Sequence, residues 1–215
     1  MTTYMKDGED TTKKPFYTDW TQDAIKRYAA YSSIQYLKGI EINKETKVLD
    51  IGGFGNRGLS SSLYLLEKGC QIDVINNDDS VREECESYGI NFIYGDIFTH
   101  SFDKKYDLII SDIWIELHIK MLESGTVDSL LNYLEKEGLL LIYFTDDLDA
   151  FNENIEHWKK RKEECRLIVE KFKKNYCNNK SIESVILDKY VAEFLGLDQQ
   201  KHRKFMKWFK IYDKY

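Results

Sequence analysis

The sequence predicts a doubly wound, mostly parallel α/β sheet. Three observations carry that expectation. Apolar, β-branched runs alternate with amphipathic helical segments over residues 46–144. The run YDLIISDIWI has a continuous apolar centre, as suits a strand buried on both faces. A glycine-rich turn at 52–58 joins the first strand to a segment of helical spacing.

Taken in order, Thr21–Lys38 places Ile25, Tyr28, Ala29, Ser32 and Leu37 at helical spacing, so a cap helix precedes the sheet. KETKVLDIGG is the first strand. LSSSLYLLEKG follows as a helix, with Leu59, Leu63 and Leu66 on one face and Gly69 as its stop. QIDVIN is the second strand, SVREECESYG a helix and INFIYGDI the third strand. Only THSFDKK separates this from the fourth strand, YDLIISDIWI, so one crossover helix is missing or vestigial. GTVDSLLNYLEKEG predicts a helix, and LLLIYF the fifth strand. Phe151, Ile155, Trp158, Cys165, Val169 and Phe172 then mark a long amphipathic helix. The closing stretch fits either an antiparallel pair around LDQQKHRK or a helix across Ile182–Leu195.

The 215 residues are enough for one domain: a segment and cap helix over 1–40, then the sheet domain over 41–215. With 42% hydrophobic and 32% charged residues the chain can bury a core without a staple. Its single proline, Pro15, excludes collagen-like and proline-rich linker classes. A net charge of −6 disfavours generic polyanion binding. No window reaches the ~20 apolar residues of a membrane span, and MTTYMKDGEDTTKKPF lacks the apolar core of a signal peptide. The expected setting is therefore the cytoplasm, with Cys70, Cys85, Cys165 and Cys177 as reduced packing residues. No His, Cys or carboxylate spacing suggests a metal.

The most informative stretch is Val48-Leu-Asp-Ile-Gly-Gly-Phe-Gly-Asn-Arg-Gly58. Glycines between a strand and a helix permit positive φ and let a ligand approach backbone N–H groups. Gly53-x-Gly55-x-x-Gly58 fits a dinucleotide fingerprint literally, which would imply nicotinamide redox chemistry. Asp50, at the strand end, argues the other way. A carboxylate there repels a pyrophosphate and welcomes an ammonium or sulfonium.

These pieces together resemble the class I S-adenosylmethionine-dependent methyltransferases, whose fold is Rossmann-like. The matching pieces are KVLDIGGFG, VIN, NFIYGDIF, YDLIISDIW and SLLNYLEKEG leading into LLLIYF, spanning about residues 40 to 145. The resemblance implies S-adenosylmethionine as cofactor. It places Asp50, Gly52, Gly53 and Gly55 around the methionine end and Asn76 at the ribose. Asp96, with Ile97 beside it, would meet the adenine amino group, and Asp112 would lie near the transferred methyl. Two positions depart from the family pattern. Phe54 stands where a glycine is usual, and Asn76 where an acid is usual, so weaker cofactor binding is expected.

Methyl transfer is an in-line displacement in which positioning supplies much of the rate. For a proton acceptor, the segment Asp112-Ile-Trp-Ile-Glu-Leu-His118 offers His118, Glu116 and Asp112, with Trp114 as a wall or cation partner. A helix cap or surface site is the plainer role for His118. The expected acceptor is a small or mid-sized molecule methylated on oxygen or nitrogen. One alternative is RNA ribose methylation, with nucleic acid docking through the basic stretch 157–174. Another is a methyltransferase-like binding or assembly subunit; a protein partner or homo-oligomer is compatible with each.

Overall fold

The computed structural model describes residues 41–53, 62–111, 113 and 115–144, together with 163, 167, 170, 171, 174, 175, 182–184 and 207–212. The expectations for the N-terminal segment and cap helix, and for the alternative helix over 182–195 beyond its first three residues, lie outside them. The described elements are β1 (Lys47–Ile51), α1 (Leu63–Glu67), β2 (Gln71–Asn76), a 3-10 turn (Asp79–Val81), α2 (Arg82–Ser87) and β3 (Asn91–Tyr94). They continue with β4 (Tyr106–Ser111), α3 (Ile115–Glu123), α4 (Thr126–Leu131), β5 (Leu134–Phe144), β6 (Ile182–Ser184) and β7 (Lys207–Tyr212).

The strands form one sheet in the order β3-β2-β1-β4-β5-β7-β6. Pairing is parallel from β3 through β5, whereas β7 runs antiparallel to both β5 and β6. This is the predicted doubly wound, mostly parallel Rossmann-like sheet, closed by the antiparallel pair. It departs from the dinucleotide order 3-2-1-4-5-6, because a reversed strand takes the place beside β5. Val48, Leu49, Val74, Ile109, Ile110 and Leu140 are fully buried, which explains why the central strands read as unbroken apolar runs. The helical positions Glu163, Leu167, Glu170, Lys171 and Lys174 share one face, opposite the apolar face read from the sequence. Lys171 on that face pairs with Glu123 of α3 at 3.3 Å.

Three elements differ from the expectation in ways that packing explains. The helix predicted through Gly138 ends at Leu131, and β5 already begins at Leu134. Leu134 pairs with Tyr106, and the register then shifts so that Leu108 meets Leu139. Gly138 sits in this irregularity, where a Cβ would lie 2.9 Å from the Tyr106 carbonyl oxygen, so only glycine fits. The fourth strand stops at Ser111, because Ile115–Glu123 forms α3 and drives Met121 into the core. The crossover from β3 to β4 holds turns and no helix, as its shortness predicts. Phe102 fills that space, packed edge-to-face on Tyr106 and Tyr133 with ring centroids 5.8 Å and 5.1 Å apart.

The lower part of this crossover is fastened by charge. Asp73, in β2, is 4% exposed and receives hydrogen bonds from Lys104 Nζ at 2.9 Å (Oδ1) and Tyr106 Oη at 2.8 Å (Oδ2). Burial first, and then the Asp73 carboxylate, push the Tyr106 phenol far above its usual range, so it stays protonated and donates. No helix among the described residues is long and apolar enough to cross a membrane.

Candidate functional site

The order in which the chain adds strands reverses between β1 and β4, and an open α/β sheet binds ligands at the carboxyl ends beside such a switch. Register brings those ends level, since Ile51 pairs with Ile75 of β2 and with Ser111 of β4. Asp50, Gly52, Gly53, Asn76 and Asp96 therefore gather at one rim.

The glycine turn leaves no room for side chains. Gly52 has φ +73°, and a Cβ there would lie 2.5 Å from Ile113 Cγ2, so the loop after β4 presses on the loop after β1. At Gly53 a Cβ would lie 2.8 Å from the carboxylate of Asp50. The backbone of this turn is thus bare and close above a wholly buried carboxylate. Ser62 Oγ donates to Asp50 Oδ2 at 2.5 Å. Ser62 stands at the start of α1, yet its hydroxyl serves Asp50 and makes no cap bond to the helix. The sequence does not announce this bond. A lone serine twelve positions from an aspartate carries no signal of its own.

Asn76 behaves unlike a simple ligand. Its Nδ2 donates to the Gly53 carbonyl at 3.1 Å, and its Oδ1 accepts from the Asp78 N–H at 3.0 Å. Asp78 accepts from the Ser80 hydroxyl at 2.6 Å and from the Ser80 N–H at 3.0 Å. Those bonds hold its carboxyl below the usual range. Asp79 pairs with Arg82 at 2.8 Å. Across from Asn76, the Gly95 N–H bonds to the Asn76 carbonyl, which seats Asp96 at the same rim. The Asp96 side chain is exposed and accepts from the Phe98 N–H at 3.0 Å, and Ile97 is half-buried beside it.

The acceptor side divides differently. Asp112 and Trp114, like Phe54 and Gly55, lie outside the described residues. Glu116 falls within α3. His118 is neither at the surface nor at a helix cap. It is 1% exposed, with Nε2 at 2.9 Å from the equally buried Ser111 Oγ. Burial pushes its pKa down to about 3, against an opposing hydrogen bond with the Ser111 backbone. Its ring ties α3 to the end of β4. Cys70 and Cys85 are buried, and desolvation raises their thiols to about 11 and about 12, so both pack as inert groups.

A cavity of about 470 Å³ lies apart from this rim, between the helix-free crossover and the β2–β3 edge. Asp73, Ile93, His100, Phe102 and Lys104 line it. Two of its charged walls, Asp73 and Lys104, pair with each other.

No protein-family model and no curated protein matches the chain by sequence. Solved structures do share its fold. One is the plantazolicin methyltransferase BpumL in complex with SAH, at 15% identity and TM-score 0.56, over 90% of this chain and 86% of that one. Another is the fibrillarin/Nop5p complex, at 13% identity and TM-score 0.54, over 95% of this chain and 90% of that one. At these identities the likeness is one of fold.

Proposed function

We propose that the chain is an S-adenosylmethionine-dependent methyltransferase acting on oxygen or nitrogen of a small or mid-sized acceptor. The observation that carries this reading is Asp50, a wholly buried carboxylate directly beneath a bare glycine turn at the carboxyl end of β1. A negative group under a backbone cradle fits a ligand end carrying an ammonium or sulfonium and repels a pyrophosphate. The fold shared with a methyltransferase crystallised with SAH supports it. Bound at this rim, the cofactor would supply an electrophilic methyl on a positively charged sulfur.

In this reading Asp50, Gly52, Gly53 and Gly55 hold the methionine end, while Asp96 and Ile97 line the adenine side. Asp112 and Glu116 are the carboxylates that would take a proton from a hydroxyl or ammonium acceptor. His118 acts as a positioning residue: through Ser111 it holds the carboxyl end of β4.

Titration calorimetry with S-adenosylmethionine and S-adenosylhomocysteine tests the reading. Binding in the micromolar range is expected, and no heat at millimolar ligand overturns it. A second reading, methylation of RNA ribose, draws on the basic stretch 157–174. It requires RNA binding that weakens steeply with salt and is lost when Lys159, Lys160 and Arg161 are reversed to Glu.

A further inference from the structure

We infer that Asn76 does not grip the ribose but braces the glycine turn, acting as a positioning residue for the cofactor cradle. The inference rests on the cofactor reading above and goes against the ribose role expected for this position. Asn76 is 9% exposed, and both ends of its amide are engaged. Nδ2 holds the Gly53 carbonyl, and Oδ1 holds the backbone N–H of Asp78. One side chain thereby locks the turn after β1 to the turn after β2.

The chemistry of the residue follows from this bond pattern. Gly53 O needs a donor, and an ionised carboxylate has none to give. An aspartate would keep the bond from Asp78 N–H but set a negative oxygen against the Gly53 carbonyl. Asparagine is the residue of that size that donates and accepts at once. The presence of an amide where the family resemblance leads one to expect an acid is therefore a requirement of the turn. Gly53 has no slack to absorb its loss, because Asp50 lies directly against it.

The test measures S-adenosylhomocysteine and its 2′-deoxyribose analogue by calorimetry on wild type, Asn76→Asp and Asn76→Ala. Asn76→Asp should bind S-adenosylhomocysteine about tenfold more weakly. Loss of the ribose hydroxyl should cost wild type and Asn76→Ala the same factor, because Asn76 does not touch it. Tighter binding by Asn76→Asp, or a deoxy penalty that vanishes in Asn76→Ala, overturns the inference. Hydrogen exchange reads the brace without any ligand. Amides of the Ile51–Gly53 segment should exchange at least about tenfold faster in Asn76→Asp, while those of β4 keep the wild-type rate. Unchanged exchange in that segment overturns the brace even if wild type fails to bind S-adenosylhomocysteine, an outcome that by itself removes only the methyltransferase reading.

Discussion

Asp50 and Asp73 sit on neighbouring parallel strands, both buried, and they are solved in opposite ways. Asp73 takes an ammonium and a phenol, so its charge is compensated within the fold. Asp50 takes a serine hydroxyl and lies beneath a glycine turn where a side chain would not fit. The first arrangement fastens a crossover. The second sets a buried carboxylate beneath the glycine turn at the carboxyl end of β1. Burial of an aspartate is therefore no guide to its role; the chemistry of its partner is.

Substitutions separate the two most sharply through their partners. Lys104→Met should cost about 3 kcal/mol in denaturant unfolding, because it strands the Asp73 carboxylate in the interior. A loss below ~1 kcal/mol would mean that Tyr106 alone satisfies Asp73. Asp50→Asn keeps an acceptor for Ser62 and removes the charge. It should weaken S-adenosylhomocysteine about a hundredfold in calorimetry and shift the melting temperature by less than about 3 °C. If binding survives, Asp50 belongs with Asp73 as a structural group.

The pH dependence at the β4 end comes next in size. Neutral burial depresses His118 in the folded state, so between about 6.5 and about 3 the unfolded chain binds the extra proton. The stabilisation is complete above about pH 6.5 and is lost as pH falls, at up to about 1.4 kcal/mol per unit. His118→Gln should remove that share of the slope in unfolding curves between about pH 6.5 and 4.5. An unchanged slope would place the titration on other groups. Asp73→Asn has the smallest effect, about 1 kcal/mol, because Lys104 is 47% exposed on its side chain and can turn to water. S-adenosylhomocysteine affinity should be unchanged in that variant.

Most of the architecture was legible because burial writes itself into the sequence as apolar runs. The five parallel strands and the missing crossover helix follow from periodicity and spacing, whereas the closing antiparallel pair was one of two readings that periodicity left open. The start of β5 was not legible, since EKEG carries no apolar pattern and its strand geometry comes from pairing with Tyr106. At the rim, the glycine turn and Asp50 announce themselves locally. The bonds that give the site its character join residues far apart in the chain, Ser62 to Asp50 and Asn76 to Gly53. The burial of His118 was illegible for a related reason: it depends on how α3 docks, which residue type alone does not encode.

The interleaving of β7 between β5 and β6 sets a constraint on assembly. β6 comes earlier in the chain, yet its sheet neighbour is β7, so β6 has no partner on the sheet until Lys207–Tyr212 has been made. As the ribosome delivers the chain from its N-terminus, β1 to β5 can pair with one another first. Stopping synthesis before Lys207 would therefore remove two strands from the sheet, leaving the edge of β5 open with Leu139 to Ile142 unpaired on that side.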